Sequence, residues 1–303
     1  MDCPSPHSYK WILIEKAGES MAIDQLEKNI ITTPFVQDIL ERANIYLKAG
    51  LPVHLTGPAG TGKTTLALKL ARDWEQPYYL IQGDDTYNRQ DLIGGLFGYS
   101  QKIVEDNFIA SVSKYERKLT PIWVDNPVAI TCREGGTLIY DEFTRSRPET
   151  NNVLLGILSE KVFLTSDHDG RLTLEKVHPD FSLILTSNPQ EYVGVNKAQD
   201  ALLDRIITIG LARFDEETEA AITARHADLN QGPALKIVRM VRAINERIQL
   251  KHSSVRSAIM IGKIYANLFQ YESHNPVFFK CCQDIFGADL VTLEIIREAW
   301  AEA

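Results

Sequence analysis

The run Gly57-Pro58-Ala59-Gly60-Thr61-Gly62-Lys63-Thr64 constrains the chain more than any other feature. The pattern G-x-x-x-x-G-K-[ST] functions only between a buried strand and the start of a helix. Both flanks are present: Val53-His54-Leu55-Thr56 is short and mostly apolar, and residues 64–74 repeat apolar positions at helical spacing. Glycines in such a loop let successive N–H groups turn inward, where they and the helix N-terminus cradle phosphate oxygens. Lys63 then reaches the β and γ phosphates, and the Thr64 hydroxyl holds magnesium. A ligand-free glycine turn is the plain alternative, and the matched strand and helix argue against it. The expectation is an α/β fold that binds ATP or GTP with Mg2+.

Four further segments read as buried strands because they are short, apolar and rich in β-branched or aromatic residues: 78–82, 137–140, 182–186 and 206–211. Helical spacing occupies 34–47, 64–74, a region over 103–119, 151–160 and 200–204. Nearly all-apolar strands alternating with helices predict a five-stranded parallel sheet covered on both faces. Residues 162–164 and 171–174 flank Ser166-Asp167-His168-Asp169-Gly170, a hairpin signal just before the fourth strand. After residue 213 strand signals stop, and helical periods run over 216–227, 233–249, 254–269 and 291–301. The expected organisation is an N-terminal extension (1–30), an α/β nucleotide domain (31–213, with an insert at about 94–123 and the hairpin at about 161–176) and a helical lid (214–303).

Leu138-Ile139-Tyr140-Asp141-Glu142 ends an apolar strand in two carboxylates, at the sheet edge where parallel α/β proteins bind ligands. Asp141 suits magnesium through water, and Glu142 suits a general base for the attacking water. Taken alone, Asp-Glu after a strand is an ordinary loop or cap. The phosphate loop upstream makes it a partner. The fourth strand ends Thr186-Ser187-Asn188-Pro189, which sets the Asn188 amide at the same edge, where it could orient water; an Asn before Pro is otherwise a turn residue.

A net charge of −8 gives no global attraction to a phosphate backbone, so nucleic acid is not an expected partner. No apolar run reaches the length of a membrane helix, and Trp11 to Ile14 is too short for a signal-peptide core. The cysteines Cys3, Cys132, Cys281 and Cys282 form no CxxC pair, which fits reduced thiols in a cytoplasmic protein. The seven histidines show no metal-ligand spacing, so magnesium is the expected ion.

Phosphate loop, Asp-Glu strand, Asn strand end, Arg205 before a fifth strand and Arg256 in a helical C-terminal part, in that order, resemble the AAA+ ATPases. Asp141-Glu142-Phe143-Thr144-Arg145 is similar to the Asp-Glu-x-x-Arg of the MoxR branch, and the hairpin before Asn188 looks like its pre-sensor-1 insertion. Within that branch the stretches 55–64, 140–149 and 185–189 resemble the GvpN family of gas-vesicle gene clusters, over about residues 30–270. The resemblance implies that Gly57, Pro58, Ala59, Gly60, Thr61, Gly62, Lys63, Thr64 and Thr65 form Walker A, and that Asp141 and Glu142 form Walker B, with Thr64 and Asp141 on the metal. Asn188 becomes sensor 1, Arg205 an arginine finger offered to a neighbouring subunit, and Arg256 sensor 2 on the lid.

It further implies ATP rather than GTP, a ring homo-oligomer with six as the family's habit, and gas-vesicle shell or accessory proteins as clients. Phe97, Tyr99, Phe108 and Tyr115 in the insert either pack a core or line a pore. The aromatic-Val-Gly pore-loop triplet of AAA+ unfoldases is absent from the insert, which speaks against threading. A magnesium-chelatase-like motor subunit and a nucleotide-dependent structural protein with little turnover remain open alternatives. A nucleic-acid motor is disfavoured by charge.

Overall fold

A computed structural model describes residues 11–14, 31–106, 114–166, 171–188, 200–211, 213–249, 255–268 and 276–303, with the backbone alone for 11–14, 96–106 and 114–122. Strand β1 (Trp11–Ile14) precedes α1 (Pro34–Lys48), β2 (Val53–Thr56), α2 (Lys63–Arg72), β3 (Tyr78–Gln82) and α3 (Arg89–Ile93). Next come β4 (Gly94–Asp106), β5 (Lys114–Asp125), α4 (Pro127–Glu134), β6 (Gly136–Asp141), a 3-10 turn (Phe143–Arg145) and α5 (Pro148–Ser159). The hairpin β7 (Val162–Ser166) and β8 (Leu172–Lys176) leads to β9 (Phe181–Ser187), α6 (Asp200–Leu203) and β10 (Ile207–Gly210). Helices α7 (Glu216–Ala227), α8 (Gln231–Arg247), α9 (Val255–Leu268), α10 (Pro276–Phe286) and α11 (Leu293–Glu302) complete the described elements.

The central sheet runs in the order β1-β3-β6-β9-β2-β10. Strands β3, β6, β9, β2 and β10 pair in parallel, as expected, and β1 adds an antiparallel edge on β3. That edge strand falls within residues 1–30, the expected N-terminal extension, for which the sequence suggested no element. Its four residues carry no period of their own, and only pairing with β3 defines them.

Alternation along each parallel strand sends side chains to two cores. Val53, Leu55, Ile139, Ile184 and Ile209 face α1 and α2. Leu138, Tyr140, Leu183 and Leu185 face α4 and α5 with Phe143 and Leu154. Each such side chain contributes about 1.5–3 kcal/mol by leaving water. The C-terminal helices bury a third core around Ile237, Val241, Ile261, Phe278 and Ile296. In it the Phe278 ring meets Tyr265 at 5.8 Å and Trp300 at 5.2 Å, centroid to centroid.

Two sequence expectations need correction. Residues 103–106 and 114–119, read within a helical stretch, belong to the antiparallel hairpin β4–β5, paired from Gly94↔Asp125 to Asp106↔Lys114. Apolar positions there fit either period. Cross-strand pairing satisfies the described backbone of the insert, residues 94–106 against 114–125, with an irregularity between Leu96 and Tyr99. Helix α10 was also not anticipated; Pro276 sits in its first turn, where the missing N–H costs nothing. The β7–β8 hairpin was expected and is present, with its connection at 167–170 outside the described residues, as is Phe108.

Candidate nucleotide site

The phosphate loop leaves β2 and enters α2 through Gly60 (φ 81°) and Gly62 (φ 73°), both in the left-handed region that L side chains disfavour. Gly57 is required for another reason: a Cβ there would lie 2.5 Å from the Leu211 carbonyl oxygen. The Lys63 ammonium, 8% exposed, donates to Gly57 O at 2.9 Å and Pro58 O at 2.7 Å, so it lies inside the loop it would serve. Thr61 Oγ1 donates to Pro58 O at 2.9 Å and stiffens the same turn.

The second motif meets the first directly. Thr64 Oγ1 donates to Asp141 Oδ1 at 2.7 Å, across 77 residues of sequence. Thr186 Oγ1 donates to the same carboxylate oxygen at 2.5 Å and accepts the Glu142 amide at 2.8 Å. Thr186 was missed as a functional residue; a hydroxyl one strand over from Asp141 has no short-range signature. A hydroxyl and a carboxylate oxygen converging beside a buried lysine form the hard-oxygen donor set that Mg2+ takes from proteins, with phosphates and waters filling an octahedron. These residues fit the ion.

Glu142 sits in the left-handed region (φ 51°, ψ 42°), a strained position for a side-chain-bearing residue. Gly83 makes it possible: a Cβ at Gly83 would lie 2.1 Å from Glu142 O, and the Gly83 amide donates to Asp141 O at 2.7 Å. Asn151 Nδ2 holds the following turn through Phe143 O at 3.1 Å. Arg145 Nε approaches Glu142 Oε2 to 2.6 Å, an ion pair that the Asp-Glu-x-x-Arg pattern placed in sequence without a role.

A cavity of about 430 Å³ joins these parts. Gly60, Lys63, Thr64, Asp141, Glu142 and Asn188 line its polar end, and Ile31, Val36, Phe214, Ile222, Val255 and Ile259 its apolar end. Asn188 is buried at the end of β9, and Arg256 reaches the cavity from the first turn of α9. His226 lines it too; burial first, then the charges of Lys263 and Arg225, lower its pKa and favour the neutral ring. The apolar wall comes from α1, α7, α9 and the segment after β10, and no local pattern links those pieces.

Arg205 stands apart. It is exposed, outside the cavity lining, and its guanidinium donates to Ser159 Oγ and to Ala201 O at 2.5 Å. Its own chain does not bring it to the cavity beside the phosphate loop.

The chain matches the family described as AAA domain (dynein-related subfamily) over residues 52–206, from β2 to the start of β10. It is 40% identical over 256 residues to the gas vesicle ATPase GvpN of Ancylobacter aquaticus, covering 84% of this chain and 72% of that one. The chain belongs to the GvpN family of gas vesicle ATPases. Two more GvpN proteins are similar: that of Haloferax mediterranei at 40% identity (78% of this chain, 68% of that one), and GvpN1 of Halobacterium salinarum at 40% (89% and 78%). Among solved structures, the RuvB Holliday junction branch migration motor of Thermotoga maritima is similar with a TM-score of 0.49 at 17% identity, covering 90% of this chain and 70% of that one. For this GvpN-family chain, the site described above falls mostly within the matched AAA domain, while Arg256 and most of the apolar wall lie beyond it.

Proposed function

We propose that the chain hydrolyses ATP with Mg2+ in a ring assembly and uses the cycle to remodel a protein partner during gas-vesicle formation. The observation that carries the chemistry is the Thr64 Oγ1 to Asp141 Oδ1 contact of 2.7 Å, with Lys63 and Glu142 on the same cavity. Thr64 and Asp141 would hold Mg2+, which supplies positive charge at the β and γ phosphate oxygens. Lys63 and the loop amides bind the phosphates. Water attacks the γ phosphorus, its proton passes to a Glu142 oxygen, and the bond to the β,γ-bridging oxygen breaks to leave ADP. Asn188 orients that water, and Arg256 approaches from the lid side.

Arg205 is assigned to a neighbouring subunit's site, because it is exposed and lies off its own cavity. AAA+ proteins generally assemble into rings, and a heterologous contact of that kind closes a site in every subunit. In this reading residues 31–213 form the nucleotide domain and 214–303 the lid, with 1–30 as an extension. In this reading the clients are gas-vesicle shell or accessory proteins and the protein works in the cytoplasm, at or near vesicles; the relatives' name supports both. Among the described residues no helix is long and apolar enough to cross a membrane.

Two measurements test this. Turnover per subunit is expected to fall on dilution as rings dissociate; turnover that stays constant down to a dilute monomer removes Arg205 from the reaction. Glu142→Gln with ATP is expected to trap the client in a pull-down, and recovery of no vesicle protein under those conditions removes the remodelling role.

A further inference from the structure

His54 lies in the middle of β2, a strand buried on both faces, where its neighbours on the same sheet face are Leu138, Tyr140, Leu183 and Leu185. It is 5% exposed, and the Phe143 ring stands edge-on to it at 5.2 Å. Burial drops its pKa to about 4, so the ring is neutral, with one nitrogen donating and the other accepting.

Both nitrogens are used. Nε2 lies 2.8 Å from Ser187 Oγ on β9, and Nδ1 lies 3.1 Å from Thr208 Oγ1 on β10. Ser187 Oγ in turn donates to Thr56 Oγ1 at 3.2 Å. A serine hydroxyl has one proton, and Ser187 spends it on Thr56, so Ser187 accepts from His54 Nε2–H. That leaves Nδ1 to accept from the Thr208 hydroxyl. The result is a head-to-tail chain from Thr208 through His54 and Ser187 to Thr56, across three adjacent strands, in which each bond polarises the next.

The ends of this chain are not arbitrary. Thr208 is three residues after Arg205, Ser187 directly precedes Asn188, and Thr56 directly precedes the phosphate loop, whose Gly57 amide donates to Ser187 O at 3.3 Å. An apolar residue at 54 would serve a packed sheet interior at lower desolvation cost. We infer that His54 is a positioning residue that ties the Arg205 strand to the Asn188 and phosphate-loop strand ends, so that the nucleotide state of one subunit sets how its arginine is presented to the next. The inference rests on the proposed roles of Asn188 and Arg205.

Mixed assemblies of the full chain test it. Glu142→Gln subunits supply Arg205 but no chemistry, Arg205→Ala subunits supply chemistry but no arginine, and mixing them is expected to restore ATP turnover. His54→Phe, which keeps a ring against Phe143 and removes both hydrogen bonds, is then added to one partner at a time. On the arginine-donating Glu142→Gln subunits it is expected to lower restored turnover about tenfold, the scale of losing one or two net hydrogen bonds, with ATP affinity of the Arg205→Ala subunits unchanged. Thr208→Val on the same subunits, a near-isosteric change, is expected to reproduce the loss and carries the test if His54→Phe does not fold. His54→Gln, which retains a donor and an acceptor, is expected to recover turnover. Full restored turnover with Thr208→Val or folded His54→Phe on the donating subunits overturns the inference and leaves the shared site standing. Absence of restored turnover in the starting mixture removes the shared site, and the inference with it.

Discussion

The parallel sheet and the helical C-terminal part both bury polar side chains, but they bury them in different places and to different ends. Around the sheet one group of them lies at the carboxyl ends of the strands: Lys63, Thr186, Ser187 and Asn188 are all under 9% exposed, and all lie beside the phosphate loop or the Asp141 strand. In the helical part the charged one is Glu219 on α7, 4% exposed, which meets Arg213 Nε at 3.2 Å and Arg242 Nε at 2.7 Å. Arg242 Nη2 also donates to Phe214 O at 2.7 Å, and the Phe214 ring lines the cavity. Thr218 Oγ1, on the same helix, lies 2.6 Å from Thr33 Oγ1 at the start of α1. Polar burial at the strand ends sits beside the phosphate loop, whereas in the helices it joins α7 and α8 to residues 213–214 and to Thr33. Chemistry and attachment of the helical part should therefore fail separately.

The largest expected effect is on chemistry alone. Glu142→Gln is expected to lower turnover by roughly 10²–10⁴, the usual worth of a general base, with ATP binding and the thermal midpoint little changed. Equal turnover in steady-state assays would take Glu142 out of the reaction and blur the contrast.

Acid is expected to act on the sheet. The folded pKa of His54 lies near 4 and the unfolded value near 6.5, so the unfolded chain binds more protons between those pH values. The stability tied to the neutral ring is fully present above pH 6.5 and is lost as pH falls toward 4, by about 3 kcal/mol. Urea unfolding across that window should show the loss, and His54→Phe should remove it from the pH profile. A profile identical in the variant would mean that other groups carry the acid sensitivity.

The seam is next. Glu219→Ala leaves Arg213 and Arg242 facing one another, and because both arginines are partly exposed the cost is about 2 kcal/mol rather than that of a fully buried pair. Hydrogen exchange in α7 and α8 should rise while the sheet stays protected. Uniform loss of protection across the chain would show that sheet and helices unfold as one unit.

The smallest effect is expected at the apolar end of the cavity. Ile259→Ala is expected to raise the Kd for ATP several-fold, on the order of 1 kcal/mol for a half-buried side chain, with kcat unchanged. A fall in kcat at constant Kd would place Ile259 with the chemistry instead.

The phosphate loop, the Asp141-Glu142 strand end and the Asn188 strand end were legible because each is local. A buried strand, a turn and a polar residue at the turn are written within ten residues of sequence, and the spacing itself encodes the backbone geometry. The alternation of strands and helices was legible for the same reason, as was the hairpin before β9. The β4–β5 hairpin was not, because its apolar residues fit two periods and only cross-strand pairing separates them. Nor was the role of His54: its partners are 133 and 154 residues away, and a lone histidine in an apolar strand carries no sign of what stands beside it.

What the sequence by itself determined was the nucleotide chemistry and the α/β frame that presents it, because short-range patterns of glycine, charge and hydrophobic period suffice for both. Tertiary structure alone decided which hydroxyls meet Asp141, that Glu219 joins Arg213 and Arg242, and that Arg205 lies outside the cavity lining. Those outcomes depend on strand order and on side chains meeting across the whole chain, and burial then sets their energies, since a polar group shut away from water must find its partner within the protein.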